Sequence, residues 1–280
     1  MPEWLNDTFA ALASPGPWRS YRHVLYVNFL DDGWRYLACG LVFWGLLHVL
    51  LRKRLAHRII DGWPSRADLR REILYSVSTL VVLAGVNSMF LALSVSGVID
   101  VYADPLKYGV VWLVLSLPVM VVLHDFYFYW THRLMHTRWL FRHVHGVHHR
   151  SRNPSPWAAL AFHPVEALIN GMVVPFALLL IPVNQYVVIA FAVHQIVRST
   201  HGHASVESLP RGFARHWLGG RFTTTTHHHL HHETARGNYA LWFTWWDRWC
   251  GTERAEYLER FDAATAPRPV ESAPGASAIA

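Results

Sequence analysis

Residues 108–136 read YGVVWLVLSLPVMVVLHDFYFYWTHRLMH. The run carries no charged side chain before Asp125, and about 20 such residues suffice to cross a hydrocarbon core. It closes on HRLMH, with His132 and His136 four residues apart. Positions i and i+4 share a helical face, so this segment brings two imidazoles to one end of a membrane span. Fold and chemistry are thus read from the same stretch.

The rest of the chain agrees with a membrane setting. Of 280 residues 52% are hydrophobic and 16% charged, against about 25% charged in soluble domains. Residues 34–51 and 73–99 form two further apolar runs, and a fourth region, 168–197, is broken by Pro175 and by Pro182 and Asn184. That fourth region reads as two shorter helices around a turn, entering and leaving by one face. The expected fold is an all-α integral membrane protein of about four to five transmembrane or re-entrant helices. The expected organisation is an N-terminal segment 1–33, a membrane domain 34–262, and a disordered tail 263–280 rich in Ala, Pro and Ser. No cleavable signal peptide is expected in the first 30 residues, which lack a basic start followed by an apolar run. Cys39 and Cys250 form no CxxC and are silent about compartment; the net charge of +6 gives no reason to expect a nucleic-acid partner.

Charge placement orients the spans. Arg52, Lys53, Arg54, Arg58, Arg66, Arg70 and Arg71 lie between the first two runs, whereas the next loop holds Lys107 beside Asp100 and Asp104. The positive-inside rule puts the arginine-rich loop in the cytoplasm. The third span then delivers His132 to that face, and the broken fourth region returns the chain to it. The metal site and the C-terminus are expected there, in a helical histidine-rich cap.

Two more histidine groups follow. HGVHH supplies His145, His148 and His149, and the stretch RFTTTTHHHLHHE at 221–233 supplies His228, His231 and His232. On a helix the members of each HxxHH group are expected on one face. Eight desolvated imidazoles need partners and would repel one another if protonated, and a metal centre keeps them neutral and satisfied. Eight nitrogens exceed one ion, and structural zinc takes four ligands that usually include thiolates, so the count points to a dinuclear site. Imidazole suits iron, zinc and copper alike, so the ligands do not choose the metal.

HxxxH, HxxHH and a late HxxHH among membrane helices resemble the fatty acid hydroxylase/sterol desaturase superfamily of histidine-box di-iron oxygenases. DFYFYWTHRLMH is similar to its first histidine helix, and SRNPSPWAALAFHPVEA (151–167) is similar to the segment after box two in sterol C-5 desaturases. NYALWFTWWDRWCGTE (238–253) resembles the closing signature, with Ala240 where Gly is frequent, which puts the local turn in question. The resemblance covers roughly 108–253. It implies two iron ions as Fe2+, with zinc able to substitute in isolated protein, and O2 as co-substrate. It implies hydroxylation or desaturation of an unactivated C–H position in a sterol-like, fatty acyl or polar lipid within the bilayer. It also implies a separate electron donor of ferredoxin or cytochrome b5 type with its reductase. Side chains alone offer no handle on such a bond; a redox metal does.

The resemblance adds His201 as a ninth ligand, with His203 and His163 as further candidates. Asp125, two helical turns before His132, is expected to orient that imidazole by hydrogen bonding. His143, His227 and His229 read as bystanders, and His124, His194 and His216 as structural. Trp242, Trp245, Trp246 and Trp249 read as interfacial anchors, and Asp247 with Arg248 as a structural pair. A different class stays open at this point, a membrane zinc hydrolase acting on a lipid ester or amide. Glu233 beside His232 stands in the wrong order for the HExxH base of that class.

Overall fold

The computed structural model describes residues 17–267, with side chains from residue 21 onward. Helix α1 (Pro17–Phe43) runs on into a π-helical stretch, Trp44–Leu50. Its apolar length, Tyr21–Leu50, begins well before the expected boundary at 34. Charges at 31–35 do not end the helix because they satisfy one another across one turn: Arg35 reaches Asp31 at 2.5 Å and Asp32 at 2.7 Å. Helix α2 (Arg66–Val95) is capped by Ser65, whose hydroxyl accepts from the Asp68 amide at 3.1 Å, and stops before Gly97 at φ +76°. Helix α3 (Gly109–Met135) carries Pro118 inside it, a residue tolerated where neighbouring helices satisfy the freed carbonyl.

These three helices are long and apolar enough to cross a membrane. Val42, Val81, Val111 and Val114 each expose more than half of their surface, and patches of that kind belong against lipid rather than water.

After a short helix α4 (Arg138–His143), the chain makes the broken region as α5 (Pro164–Gly171) and α6 (Val173–Leu180), a turn, and α7 (Gln185–Gly202). The turn residues Val183 and Asn184 (β2) pair in parallel with Val101 and Tyr102 (β1), in the loop between α2 and α3. The tip of the hairpin therefore sits at the end of the molecule opposite His132, and both its arms return to the histidine end. At that end the arginine-rich loop is stitched onto the cap. The Ile60 amide donates to Ser205 O (3.1 Å), Arg58 to Leu209 O (2.8 Å) and Arg71 to Ser151 Oγ (3.0 Å).

The main apolar core lies between α3, α6 and α7, where Met120, Leu178, Val187 and Phe191 pack against Leu241 and Trp242 from the C-terminal segment. Trp242 is buried, not interfacial; Trp249 is the exposed member of the four indoles. Helices α8 (Thr225–Thr234), α9 (Trp245–Trp249) and α10 (Tyr257–Ala264) build the cap. The tail expected from 263 on begins inside α10, which is held by buried Tyr257 and Phe261; residues 268–280 and 1–16 lie outside the described residues.

Candidate metal centre

Helix α8 is unusual for a polar segment: Thr225 through His232 are all buried. Its first turn is satisfied from two sides. Thr224 Oγ1 accepts from the His227 amide (3.1 Å), and the buried Glu207 carboxylate accepts from both the amide (2.9 Å) and the hydroxyl (2.7 Å) of Thr226. A carboxylate at a helix N-terminus also meets the positive end of the dipole. The helix ends at Ala235, in left-handed conformation, whose amide donates to His231 O at 2.7 Å.

The three boxes converge as two neighbouring groups. His132, His136, His145, His149 and His231 form one, and His148, His203, His228 and His232 the other; within each, one ligand nitrogen per ring lies within 4.8 Å of the rest. The i, i+4 pairs stay together, 132 with 136, 145 with 149 and 228 with 232. The inner histidine of each HxxHH, His148 or His231, crosses to the other group. A single face for each triplet is therefore not what forms: the boxes are interleaved. His145–Arg150 is a 3-10 stretch and Thr225–Thr234 an α-helix, yet both divide their histidines in the same way.

Proton placement shows what the rings face. His132 Nδ1 lies 2.7 Å from Tyr239 O, His203 Nδ1 2.7 Å from Ser199 O, His231 Nδ1 2.7 Å from Gly237 O and His232 Nδ1 2.9 Å from Ser151 O. His148 Nδ1 reaches Ala161 O at 3.3 Å, and His145 Nδ1 reaches the Glu166 carboxylate at 2.7 Å. Carbonyl and carboxylate oxygens only accept, so each of these neutral rings spends its one proton on the outer side. The Nε2 lone pairs are left pointing inward at one another.

Yet His132 and His145 Nε2 are 3.0 Å apart, and His148 and His203 Nε2 3.3 Å apart. With both protons committed elsewhere, neither contact is a hydrogen bond. Metal–nitrogen bonds of about 2.0–2.1 Å would put adjacent ligand nitrogens roughly 2.9–3.0 Å apart at right angles and about 3.3–3.4 Å apart in a tetrahedron. His228 to His203 (3.0 Å), His232 to His228 (3.2 Å) and His149 to His145 (3.1 Å) fall in the same interval. The buried Nε2 atoms of His136 and His231 have no hydrogen-bond partner among the described residues. The donor set fits two metal ions.

Burial holds the His145, His148, His149, His228, His231 and His232 imidazoles well below their usual pKa range, and the neighbouring imidazoles push the same way. Loss of solvation also lowers His203, to about 4. The cluster is neutral at physiological pH, the state in which imidazole binds metal.

All eight box histidines are brought together. The ninth member is His203 rather than His201. The two are two residues apart at the end of α7 and so point to different sides; His201 turns to Ser208 Oγ at 2.8 Å. His163 caps α5, its Nδ1 accepting from the Val165 amide at 3.2 Å, and stands outside both groups. Asp125 does not contact His132; its Oδ1 accepts from the Trp242 amide at 2.9 Å. The link to His132 is indirect, through the segment that Asp125 anchors.

Asp247 belongs to that segment's support. Its carboxylate accepts from the amides of Tyr239 (2.8 Å) and Ala240 (2.9 Å), which fixes the peptide whose carbonyl holds His132. Arg248, expected as its partner, pairs with Glu253 instead (2.9 Å). Positive φ falls on Gly237 and Asn238, so Ala240 is accommodated without strain. Among outlying histidines, His227 faces Tyr257, His229 meets Ser205 Oγ and His124 stacks on Trp242. Sequence reading missed Glu166, Glu207 and Asp247 as supports. For Glu166 the signal was present in FHPVE: it stands three residues after the capping His163, which faces it back toward His145.

A cavity of about 440 Å³ opens from the metal groups into the membrane-spanning region. His132, His145, His148, His203 and His228 floor it, and side chains such as Leu83, Phe90, Phe128, Val174, Ile189 and Phe191 wall it. On another side, a recess of about 520 Å³ lined by Arg71, Arg150, Arg152 and Glu233 reaches His149 and His232.

Residues 117–252 match the fatty acid hydroxylase family. The chain is 30% identical over 192 residues to a Delta(7)-sterol 5(6)-desaturase of Gibberella zeae, covering 69% of this chain and 58% of that protein. It is 29% identical over 183 residues to the lathosterol oxidase of Rattus norvegicus, covering 65% and 60%. A very-long-chain aldehyde decarbonylase of Oryza sativa subsp. indica is 31% identical over 150 residues, covering 51% and 54%. The chain thus spans less than two thirds of the length of each of these relatives. No solved structure matches it.

Proposed function

We propose that the chain, whose residues 117–252 match the fatty acid hydroxylase family, is a membrane-bound, O2-dependent di-iron oxidoreductase that hydroxylates or desaturates a lipid. The observation that carries the reading is the inward convergence of nine imidazoles in two groups, five of which floor an apolar cavity. Bound iron supplies what no side chain here has, a redox route for O2 to attack an unactivated C–H bond.

The chain's own part is placement. His132, His136, His145, His149 and His231 would hold one ion, and His148, His203, His228 and His232 the other. Outer hydrogen bonds donated by the ring Nδ1 atoms to Tyr239 O, Gly237 O, Ser199 O, Ser151 O and Glu166 lock tautomer and ring orientation. The cavity walls exclude water and lay an apolar chain or ring against the floor. The arginine-lined recess is the side from which a separate ferredoxin or cytochrome b5-type donor delivers electrons. By the arginine-rich loop packed on the cap, that side is cytoplasmic.

A mononuclear hydrolytic zinc site uses three protein ligands and one open position, which leaves the second set of imidazoles without a role. Lipid extracts from cells with and without the protein test the proposal by mass spectrometry. A lipid gaining one oxygen or losing two hydrogens, dependent on O2 and iron, is the expected result. Release of a free acid or amine without O2 would overturn it.

A further inference from the structure

We propose that Asp32, Arg35 and Asn87, on the cavity wall far from the metal groups, anchor an uncharged hydroxyl of the lipid and so set which carbon reaches the metals. The proposal deepens the lipid oxidoreductase reading and rests on it for the word substrate. Charged side chains inside membrane spans are costly and are kept where a partner or a ligand rewards them. Here Asp31, Asp32 and Arg35 sit mid-way along the Tyr21–Leu50 span, and Asn87 in the Arg66–Val95 span. All four line the same cavity as the metal-site histidines. None lies within residues 117–252, so the family match says nothing about them.

The polar group is built rather than scattered. Arg35 bridges Asp31 (2.5 Å) and Asp32 (2.7 Å), and Asn87 Nδ2 donates to the other oxygen of Asp32 at 2.7 Å. A second observation points to a ligand. Thr79, fully buried on α2 and lining the cavity, has no partner for its hydroxyl among the described residues, and Gln195 Oε1 and Asn170 Oδ1 on other walls are likewise unpartnered among them. Thr79 adjoins Leu80, which clusters with Phe29 and Tyr36 of α1, on either side of Asp32 along that helix. Donors and acceptors left over in an otherwise apolar cavity suit a ligand with one small polar group.

Charge selects the class of that group. Two carboxylates and one guanidinium sum to a negative excess, which disfavours a fatty acid carboxylate. A hydroxyl donates to Asp32 and accepts from Arg35 or Asn87 without bringing a charge into the hydrocarbon region. Length selects the geometry. Phe43 packs on His201 at 5.9 Å, close to the metal-group member His203. At 1.5 Å per helical residue, Asp32 lies roughly 16 Å up α1 from that level. The carbon presented to the metals is therefore remote from the hydroxyl, on an extended tail and not on the carbon framework next to it.

Binding to the full-length protein in detergent, followed by native mass spectrometry, tests this without turnover or metal. Four ligands of equal chain length serve as probes: 1-hexadecanol, hexadecane, hexadecanoic acid and hexadecylamine. 1-Hexadecanol should bind about tenfold tighter than hexadecane, the advantage of one or two satisfied hydrogen bonds, and tighter than the acid or amine. Asp32→Asn and Asn87→Leu should erase the alcohol's advantage and leave hexadecane binding unchanged. Preference for the acid or amine, or equal binding of all four by the wild-type protein, overturns the anchor; the wild-type comparison decides even if a variant fails to fold. Hydroxyl selectivity with no O2-dependent product would leave the anchor standing and remove the oxidoreductase reading. O2-dependent product with no hydroxyl selectivity would do the reverse.

Discussion

Glu166 and His145 are hydrogen-bonded at 2.7 Å with both side chains buried, a carboxylate fixing the tautomer of a histidine 21 residues before it. Carboxylate–histidine–metal relays of this kind usually change affinity 10–100-fold when the outer partner is removed. Glu166→Gln should therefore weaken metal retention by about that factor while the protein stays in the membrane. Titrating purified protein with a chelator and measuring residual metal would check it. Unchanged retention would mean that Glu166 only caps α5.

His201 and His203 give a sharper comparison, because one faces the cluster and the other faces Ser208. His203→Ala should weaken retention of one of the two ions, since it removes one of the four ligands of its group. His201→Ala should keep both ions. Elemental analysis of the two variants, prepared side by side, separates them; the opposite pattern would return the ninth ligand to His201.

Much of this was legible because the signals were local. The HRLMH and HxxHH spacings, and the Pro/Asn break that makes α6 and α7 a hairpin, are visible within a few residues each. What was not legible depends on distant parts meeting. Asp125 points at the Trp242 amide, 117 residues away, and no spacing rule announces that. Asp247 looked like a partner for the adjacent arginine, but two backbone amides needed its carboxylate more. The choice of His203 over His201 turns on where α7 ends, and helix ends are the least certain feature of a sequence reading. The start of α1 was placed late because Arg35 and the two aspartates look like a boundary until their mutual pairing is seen.

Metal-free protein should lose stability as pH falls. Burial holds the six imidazoles of boxes two and three well below their usual range, so in the folded state they stay neutral. In the unfolded chain they protonate near pH 6.5. Below that value the unfolded state binds more protons, and stability drops with pH; above it the effect vanishes. Melting curves of detergent-solubilised protein between about pH 5 and 8 should show this fall, reduced by added Fe(II) or Zn(II). A metal-free melting temperature flat across that range would mean that the cluster opens to water and protonates freely.

Orientation follows from the arginine-rich loop on the histidine end. With Cys39 and Cys250 replaced by Ala, Arg54→Cys should resist a membrane-impermeant thiol reagent on intact cells, and Asp104→Cys should label. Both native residues are exposed, so accessibility is not limited by the fold. The reverse labelling pattern would invert the topology.

The final expectation concerns electron delivery. O2-dependent hydroxylation or desaturation consumes two electrons per turnover, and they must reach metal ligands that are buried. The recess lined by Arg71, Arg150 and Arg152 is where His149 and His232 come nearest to the cap surface, and Arg138 and Arg142 are exposed on the adjoining segment. Surface arginines are worth little to stability, but a patch of one sign speeds encounter with a partner of the other. An acidic ferredoxin or cytochrome b5-type protein has the complementary charge. Reversing Arg150 and Arg152 to Glu should slow reduction by such a donor, more so at low salt, where screening is weak. Reduction by dithionite, which needs no docking, should stay as fast as in the wild-type protein. If both reductants slow alike, the substitutions have disturbed His149 next door; if neither does, the arginines serve the membrane surface and the donor docks elsewhere.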